Sequence, residues 1–123
     1  MSRVANCLES VEISEVRRER PAILARDFQP IEAEALRAGP ARTVAGFVAL
    51  KRALVALARS LAPGVEASAR DFALGHDAGG APIVTSLPRG VEALLRRGRL
   101  RVSISHTSTT AHGLAAFQEA SDG

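Results

Sequence analysis

Lys51 is the first residue whose type and position point to chemistry. It is the only lysine in a chain of 123 residues, and the other 15 basic residues are all arginine. On a helical wheel it falls among Val44, Val55 and Ala58, inside an apolar stripe. A lysine in that position must extend to solvent, pair with an anion of the protein, or bind an anionic ligand. Arg52 follows it one step round the helix, near the polar edge.

His106 is the second such residue. It ends an apolar, alternating segment, Val102–His106, and is followed by the hydroxyl residues Thr107 to Thr110. A histidine at the end of a strand with hydroxyl neighbours can contact phosphate or act as an acid or base. A lone histidine is more often a turn residue. His76 and His112 lack supporting neighbours, and we predict structural roles for them.

Several common classes of site and partner have no matching pattern. The histidines lack the spacing of a zinc helix, the single cysteine cannot form an internal disulfide, and no GxSxG, Walker or GxGxxG motif occurs. The four aromatic residues, all Phe, provide no platform for stacking bases. A net charge of +3 permits anionic ligands, and we expect no nucleic-acid partner. With no signal peptide or long apolar segment, we expect no membrane association and a cytoplasmic location.

Hydrophobic periodicity predicts the elements that must position these residues. The charged segment Glu15–Arg20, closed by Pro21, is read either as a solvated helix turn or as a docking surface. The other predicted elements are a strand at Val4–Ile13, a helix at Ile31–Ala38 opened by Pro30, a long helix at Arg42–Ala62, strands at Arg70–Gly75 and Ala81–Ser86, a short helix from Pro88, and strands at Leu100–Ser105 and His112–Phe117. This order predicts an α+β fold with an antiparallel sheet packed on one long central helix. We expect a single domain over residues 1–119 and a loose tail at 120–123.

Five sequence blocks, in order, resemble a known family. They are Leu8–Ile13, Arg26–Glu32, Ala45–Ala53, Asp77–Pro82 and Val102–Thr107. Together they resemble the 4′-phosphopantetheinyl transferases of the short, holo-acyl-carrier-protein synthase type, over nearly the whole chain. The last block, Val-Ser-Ile-Ser-His-Thr, is the most specific, and the others gain weight from their order and spacing.

This resemblance implies the transfer of 4′-phosphopantetheine from coenzyme A to a serine of an acyl carrier protein. It also implies magnesium on the pyrophosphate and a homotrimer with its sites between neighbouring subunits. Catalysis would involve Glu9 and Lys51, with Lys51 contacting the pyrophosphate and helping to remove the serine proton. The coenzyme A contacts would be Lys51, Arg52, Gly80, Pro82, Ser105, His106 and Thr107. The acidic helix of the carrier protein would dock on Arg17, Arg18 and Arg20.

The sequence departs from this family at the metal site. The first metal-binding aspartate of the family falls on Glu9, which is a longer carboxylate. The metal-binding glutamate falls on Arg52, and a cation cannot ligate magnesium. An arginine of the family falls on Phe47, which removes a charge that could contact the ligand. The metal would then be held by Glu9 and Glu12 or replaced by Arg52.

Three functional hypotheses follow from these matches and departures. The first is a working transferase, the second is a catalytically inactive relative that binds carrier protein or coenzyme A without transfer, and the third is an unrelated α+β binding domain. We expect a Glu9–Arg52 ion pair in the place of the metal, within one chain or across the trimer interface. Transfer would then be slow and largely metal-independent. We also expect Lys51→Met to lower coenzyme A affinity without loss of stability.

Overall fold

One long helix packed across a three-stranded sheet forms the centre of the molecule. The computed structural model describes residues 3–120. In chain order the elements are β1 (Val4–Glu12), α1 (Ile13–Asp27), α2 (Pro30–Leu36), α3 (Ala41–Leu61), a 3-10 turn (Ala69–Asp71), β2 (Ala73–His76), β3 (Pro82–Ser86), α4 (Arg89–Leu95), β4 (Gly98–His106) and β5 (Thr110–Glu119). The predicted α+β class and the antiparallel sheet on a long helix are confirmed.

The three-stranded sheet has β5 in the middle, with β1 and β4 antiparallel to it on either side. Because successive side chains alternate across a strand, Leu100, Val102 and Ile104 of β4 pack toward the core beneath α3. The opposite face of the sheet leaves Val4 and Leu8 exposed by 64% and 63%. A separate two-stranded hairpin, β2–β3, lies beside this assembly.

Two glycines let α3 lie close to the sheet. A Cβ on Gly46 would stand 2.6 Å from Cγ2 of Ile104, and a Cβ on Gly113 would overlap the backbone of Ala49 and Leu50. α3 is therefore buried over most of its circumference, as its nearly continuous apolar sequence predicts. Within residues 3–120, no helix combines the length and the apolarity needed to cross a bilayer.

Helix α1 differs most from the sequence prediction. The charged segment Glu15–Arg20 belongs to a longer helix, which does not end at Pro21. This helix continues to Asp27 and has a kink at Glu19 (φ −114°, ψ 17°). Proline has no N–H to donate, so it interrupts the hydrogen-bond ladder and bends the helix without ending it here.

A smaller difference concerns the start of β2. β2 begins at Ala73 and not at Arg70, since the preceding residues form a 3-10 turn with a capping box between Ser68 and Asp71. Ala120, the first residue of the predicted tail, donates its N–H to the carbonyl of Arg97 at 3.0 Å. Residues 121–123 lie outside the described residues.

The contact at Gly113 predicts a large effect of a single methyl group. Gly113→Ala should destabilise the fold by about 3 kcal/mol or more, because the obstructing atoms are helix backbone that cannot rotate away. Gly64→Ala is the matched control, since a Cβ there meets no atom within 4 Å. Urea unfolding of the two variants measures the difference, and equal stability would contradict the close helix–sheet packing.

Candidate functional site

Lys51 lies at the centre of α3 with 0% of its surface exposed. Its Nζ is 2.8 Å from Oε1 of Glu32, and it also donates to the carbonyls of Asp27 (3.0 Å), Ala69 (3.2 Å) and Phe72 (2.7 Å). An ammonium group has three N–H donors, and four protein acceptors already surround them. Of the three alternatives for this lysine, the structure shows pairing with an anion of the protein. Its predicted contact with pyrophosphate would require it to leave this pair.

The sequence did not single out Glu32 as the partner of Lys51. Its Oε1 also accepts the N–H of Gln29, and its Oε2 accepts the N–H of Leu74, both at 2.9 Å. Removal from water lowers the pKa of Lys51, and the hydrogen bond and charge of Glu32 oppose that shift. The ring of Phe28 lies 4.4 Å from the Lys51 ammonium and adds a cation–π contact. The available signal was the block Arg26–Glu32, which ends on this glutamate.

Glu9 and Arg52 line one cavity of about 420 Å³ together with Arg26, Asp27 and Arg59. We call it the Glu9–Arg52 cavity. Glu9 is supplied by β1 and Arg52 by α3, and both side chains are half-buried. Among residues 3–120, the ion pairs that form do not include Glu9–Arg52, so the predicted pair is not made within one chain. A pair across subunits stays a prediction.

His106 and Thr107 line a second cavity of about 730 Å³, which we call the His106 cavity. Arg17 and Arg20 of α1 and Arg42, at the start of α3, also line it. The structure therefore brings two predicted nucleotide contacts together with two of the three arginines predicted to bind the carrier protein. Arg42 was not singled out from the sequence. It is an isolated arginine at the start of a helix, and nothing in its neighbouring residues distinguishes it from an ordinary solvent-exposed arginine.

The three arginines predicted to dock the carrier protein differ in exposure and in their hydrogen bonds. Arg20 is half-buried and donates from Nη1 to the carbonyls of Arg37 (3.1 Å) and Gly39 (2.6 Å), so it ties α1 to the turn before α3. Arg17 and Arg18 are exposed on α1. Arg18 lines neither of the two cavities. Arg20 is thus held in place by backbone, whereas Arg17 and Arg18 face solvent.

The remaining predicted contacts lie elsewhere on the surface. Gly80, with φ +87°, lies in the turn between β2 and β3, and Pro82 is the first residue of β3; neither lines either cavity. Ser105 is on the outer face of the sheet, in register with His112. His112 is hydrogen-bonded to Ser10 across the strands, with 2.8 Å between Nδ1 and Oγ, in keeping with a structural role.

The residues of the Glu9–Arg52 cavity do not fit a magnesium ion. Magnesium is held by carboxylate and phosphate oxygens, yet Asp27 is already engaged by Arg26 at 2.9 and 3.0 Å. Glu12 is exposed at the end of β1 and does not line the cavity. Throughout the described part of the chain, no three or more His, Cys, Asp or Glu residues are grouped so that they could hold a metal.

Solved structures provide the comparison for this arrangement. The holo-[acyl-carrier-protein] synthase of Helicobacter pylori, in complex with coenzyme A, matches with a TM-score of 0.70 and 23% identity, over 92% of this chain and 99% of that one. The Mycobacterium tuberculosis enzyme matches with a TM-score of 0.72 and 22% identity, over 94% and 96% of the two chains. The Neisseria meningitidis enzyme gives 0.71 and 24%, over 91% and 95%.

The chain has the fold of the holo-[acyl-carrier-protein] synthases. The resemblance carried by the five sequence blocks is confirmed at the level of this fold, and the match extends over nearly the whole length of both chains. No family model matches the sequence, and no curated protein matches it. Within one chain of this synthase fold, the Glu9–Arg52 cavity and the His106 cavity share no lining residue.

The Lys51 contacts contradict the expectation that Lys51→Met causes no loss of stability. Removing the ammonium leaves the carboxylate of Glu32 buried and unpaired, so we expect a loss of about 3–5 kcal/mol. Glu32→Gln should also destabilise, and the double variant Lys51→Met/Glu32→Gln should lose less than the sum of the two. Chemical unfolding of all four proteins measures the coupling. Additive losses would show that the pair does not hold the fold together.

Proposed function

We propose that this protein transfers 4′-phosphopantetheine from coenzyme A to a serine of an acyl carrier protein. The observation that carries the proposal is the His106 cavity, where His106 and Thr107 meet Arg17 and Arg42 at the N-terminus of α3. Coenzyme A bears a 3′-phosphate and a pyrophosphate, and such anions favour arginines and the positive end of a helix dipole. The synthase fold and the bound coenzyme A of the Helicobacter pylori structure support the same ligand.

The proposed reaction is a phosphoryl transfer with a simple atom balance. The serine oxygen of the carrier protein attacks the pantetheine-linked phosphorus, and a new phosphorus–oxygen bond forms. The bond to the other phosphate breaks, and 3′,5′-ADP leaves with its electron pair. The serine proton must pass to a base. Of the two predicted catalytic residues, Glu9 faces a cavity whereas Lys51 is buried against Glu32, so we assign the proton to Glu9.

The proposal includes a homotrimer with the site between neighbouring subunits. Its structural support is the separation of the two cavities in one chain, since a single coenzyme A would need groups from both. The outer face of the sheet exposes Val4, Leu8 and Leu114, by 64%, 63% and 37%, and a neighbouring copy would remove this apolar surface from water. The His106 cavity of one subunit would then face the Glu9–Arg52 cavity of the next.

A catalytically inactive relative is the second candidate. Two observations favour it: Arg52 stands where the resemblance implies a metal-binding glutamate, and Lys51 has no N–H left for a substrate. Such a protein would keep the His106 cavity and bind coenzyme A or the carrier protein without transfer.

Intact-protein mass spectrometry separates the two candidates. Apo carrier protein incubated with coenzyme A and this chain should gain the mass of 4′-phosphopantetheine. His106→Ala should slow the gain at least tenfold, a loss of roughly 1.4 kcal/mol or more of transition-state binding. His76→Ala, an exposed histidine outside both cavities, is the control. Coenzyme A binding without mass gain would establish the inactive relative, and the absence of both would overturn the proposal.

The docking assignment gives a salt-dependent prediction. Arg17→Glu/Arg18→Glu should weaken carrier-protein binding, measured without coenzyme A, by roughly fivefold to twentyfold at low salt, because exposed charges act mainly through long-range attraction. The difference should shrink as salt is added. Arg70→Glu/Arg89→Glu makes the same change in net charge on other exposed elements and should have a smaller effect. Equal weakening by both pairs would mean that net charge alone governs the interaction.

A further inference from the structure

The Glu9–Arg52 cavity carries an excess of positive charge. Three of its side chains are arginines and two are carboxylates. Arg26 donates from Nε and Nη2 to the two oxygens of Asp27, at 3.0 and 2.9 Å, and so neutralises that carboxylate. Within this cavity, Arg52 and Arg59 are left with the single carboxylate of Glu9, and Arg59 also lines a neighbouring cavity with Glu66 and Asp71. The charges that stay available therefore favour an anion over a cation.

Arg52 and Arg59 are both free to bind that anion. They are seven residues apart on α3, about two turns or roughly 10.5 Å along one face of the helix. Val55 and Ala56, which lie between them in the sequence, also line the cavity and do not fill it. Within residues 3–120, neither guanidinium forms a hydrogen bond or an ion pair from its side chain. Their N–H donors are therefore not committed to other groups of the described chain and are available to phosphate oxygens.

We propose that the Glu9–Arg52 cavity binds the pyrophosphate of coenzyme A directly through Arg52 and Arg59, without a divalent metal. The identity of the ligand rests on the proposed function, whereas the preference for an anion rests on the cavity itself. A guanidinium presents two parallel N–H groups to a phosphate, and half-burial of Arg52 strengthens that attraction. A divalent cation entering the same space would meet two unpaired positive charges and one carboxylate.

Isothermal titration with inorganic pyrophosphate tests the cavity on its own. In EDTA the protein should bind pyrophosphate, and added magnesium should not tighten binding more than twofold. Arg52→Ala and Arg59→Ala should each weaken it, Arg52→Ala by tenfold or more. Arg89→Ala, on α4 and outside the cavity, should leave it unchanged. Loss of binding in EDTA with recovery in magnesium would overturn the proposal, as would an absence of binding in both.

Glu9→Gln separates an anion site from a metal site by the sign of its effect. In an arginine site the carboxylate repels the ligand, so its neutral isostere should tighten pyrophosphate binding, by about threefold to tenfold. In a metal site the same change removes a ligand and should weaken binding. Tighter binding should be accompanied by slower transfer, because the proposed base is lost. Weaker binding would overturn the inference.

Arg52→Glu supplies the reverse experiment. The added carboxylate would join Glu9 as a second one without an arginine partner, since Asp27 is engaged by Arg26. Pyrophosphate binding should then depend on magnesium, a dependence that we do not expect in the parent protein. If Arg52→Ala leaves pyrophosphate binding unchanged but weakens carrier-protein binding, the cavity is a protein-docking surface and the inference fails. Mass spectrometry of the carrier protein tests the proposed function separately. Metal-independent pyrophosphate binding without transfer of 4′-phosphopantetheine would refute only the transfer. Transfer that needs magnesium would refute only the metal-free site.

Discussion

The buried ion pair between Lys51 and Glu32 holds the elements around α3 together. Lys51 projects from α3 and reaches the end of α1, the 3-10 turn and the residue before β2, while Glu32 ties α2 to Leu74 of β2. Burying two charges is costly, and here the cost is offset by a short contact and by hydrogen bonds that satisfy both groups. The pair fixes one side of α3, and the glycine contact with β5 fixes the other.

This use of the lysine changes where anion recognition can occur. Adjacent residues on a helix point about 100° apart. Lys51 therefore faces the buried carboxylate of Glu32 and the nearby backbone carbonyls, while Arg52 faces the cavity beside β1. An ammonium surrounded by four acceptors contributes no free donor, whereas Arg52 is not engaged by any described side chain or carbonyl. The positive charge available to a ligand at this point of the fold is therefore the guanidinium and not the ammonium.

Sequence patterns predicted what depends on local periodicity. The long helix, the hairpin turn at Asp77–Gly80 and the last two strands follow from spacing and turn chemistry, and the structure has them within a few residues. The prediction of helix α1 was incomplete for two reasons. The helix has many charged and few buried residues, so its apolar periodicity is weak, and Pro21 suggested that the helix ended there. The partner of Lys51 lies 19 residues away. No local pattern reports a contact that only tertiary packing creates, and the same holds for Arg59 in the Glu9–Arg52 cavity.

Both cavities are lined by arginines, although they share no lining residue within one chain. In the proposed function the two clusters serve one ligand: coenzyme A carries phosphate at two separated points, the 3′-position and the pyrophosphate, and each would need its own cluster of donors. The His106 cavity gathers arginines at a helix N-terminus, and the Glu9–Arg52 cavity gathers them along a helix side. A metal ion would supply concentrated charge at one point, whereas two guanidiniums spread a smaller charge over the length of a pyrophosphate. Under the proposed function, Arg52 in the place of a carboxylate is therefore compatible with ligand binding. Its cost would fall on the stabilisation of the leaving group, where the stronger field of a divalent ion would act most.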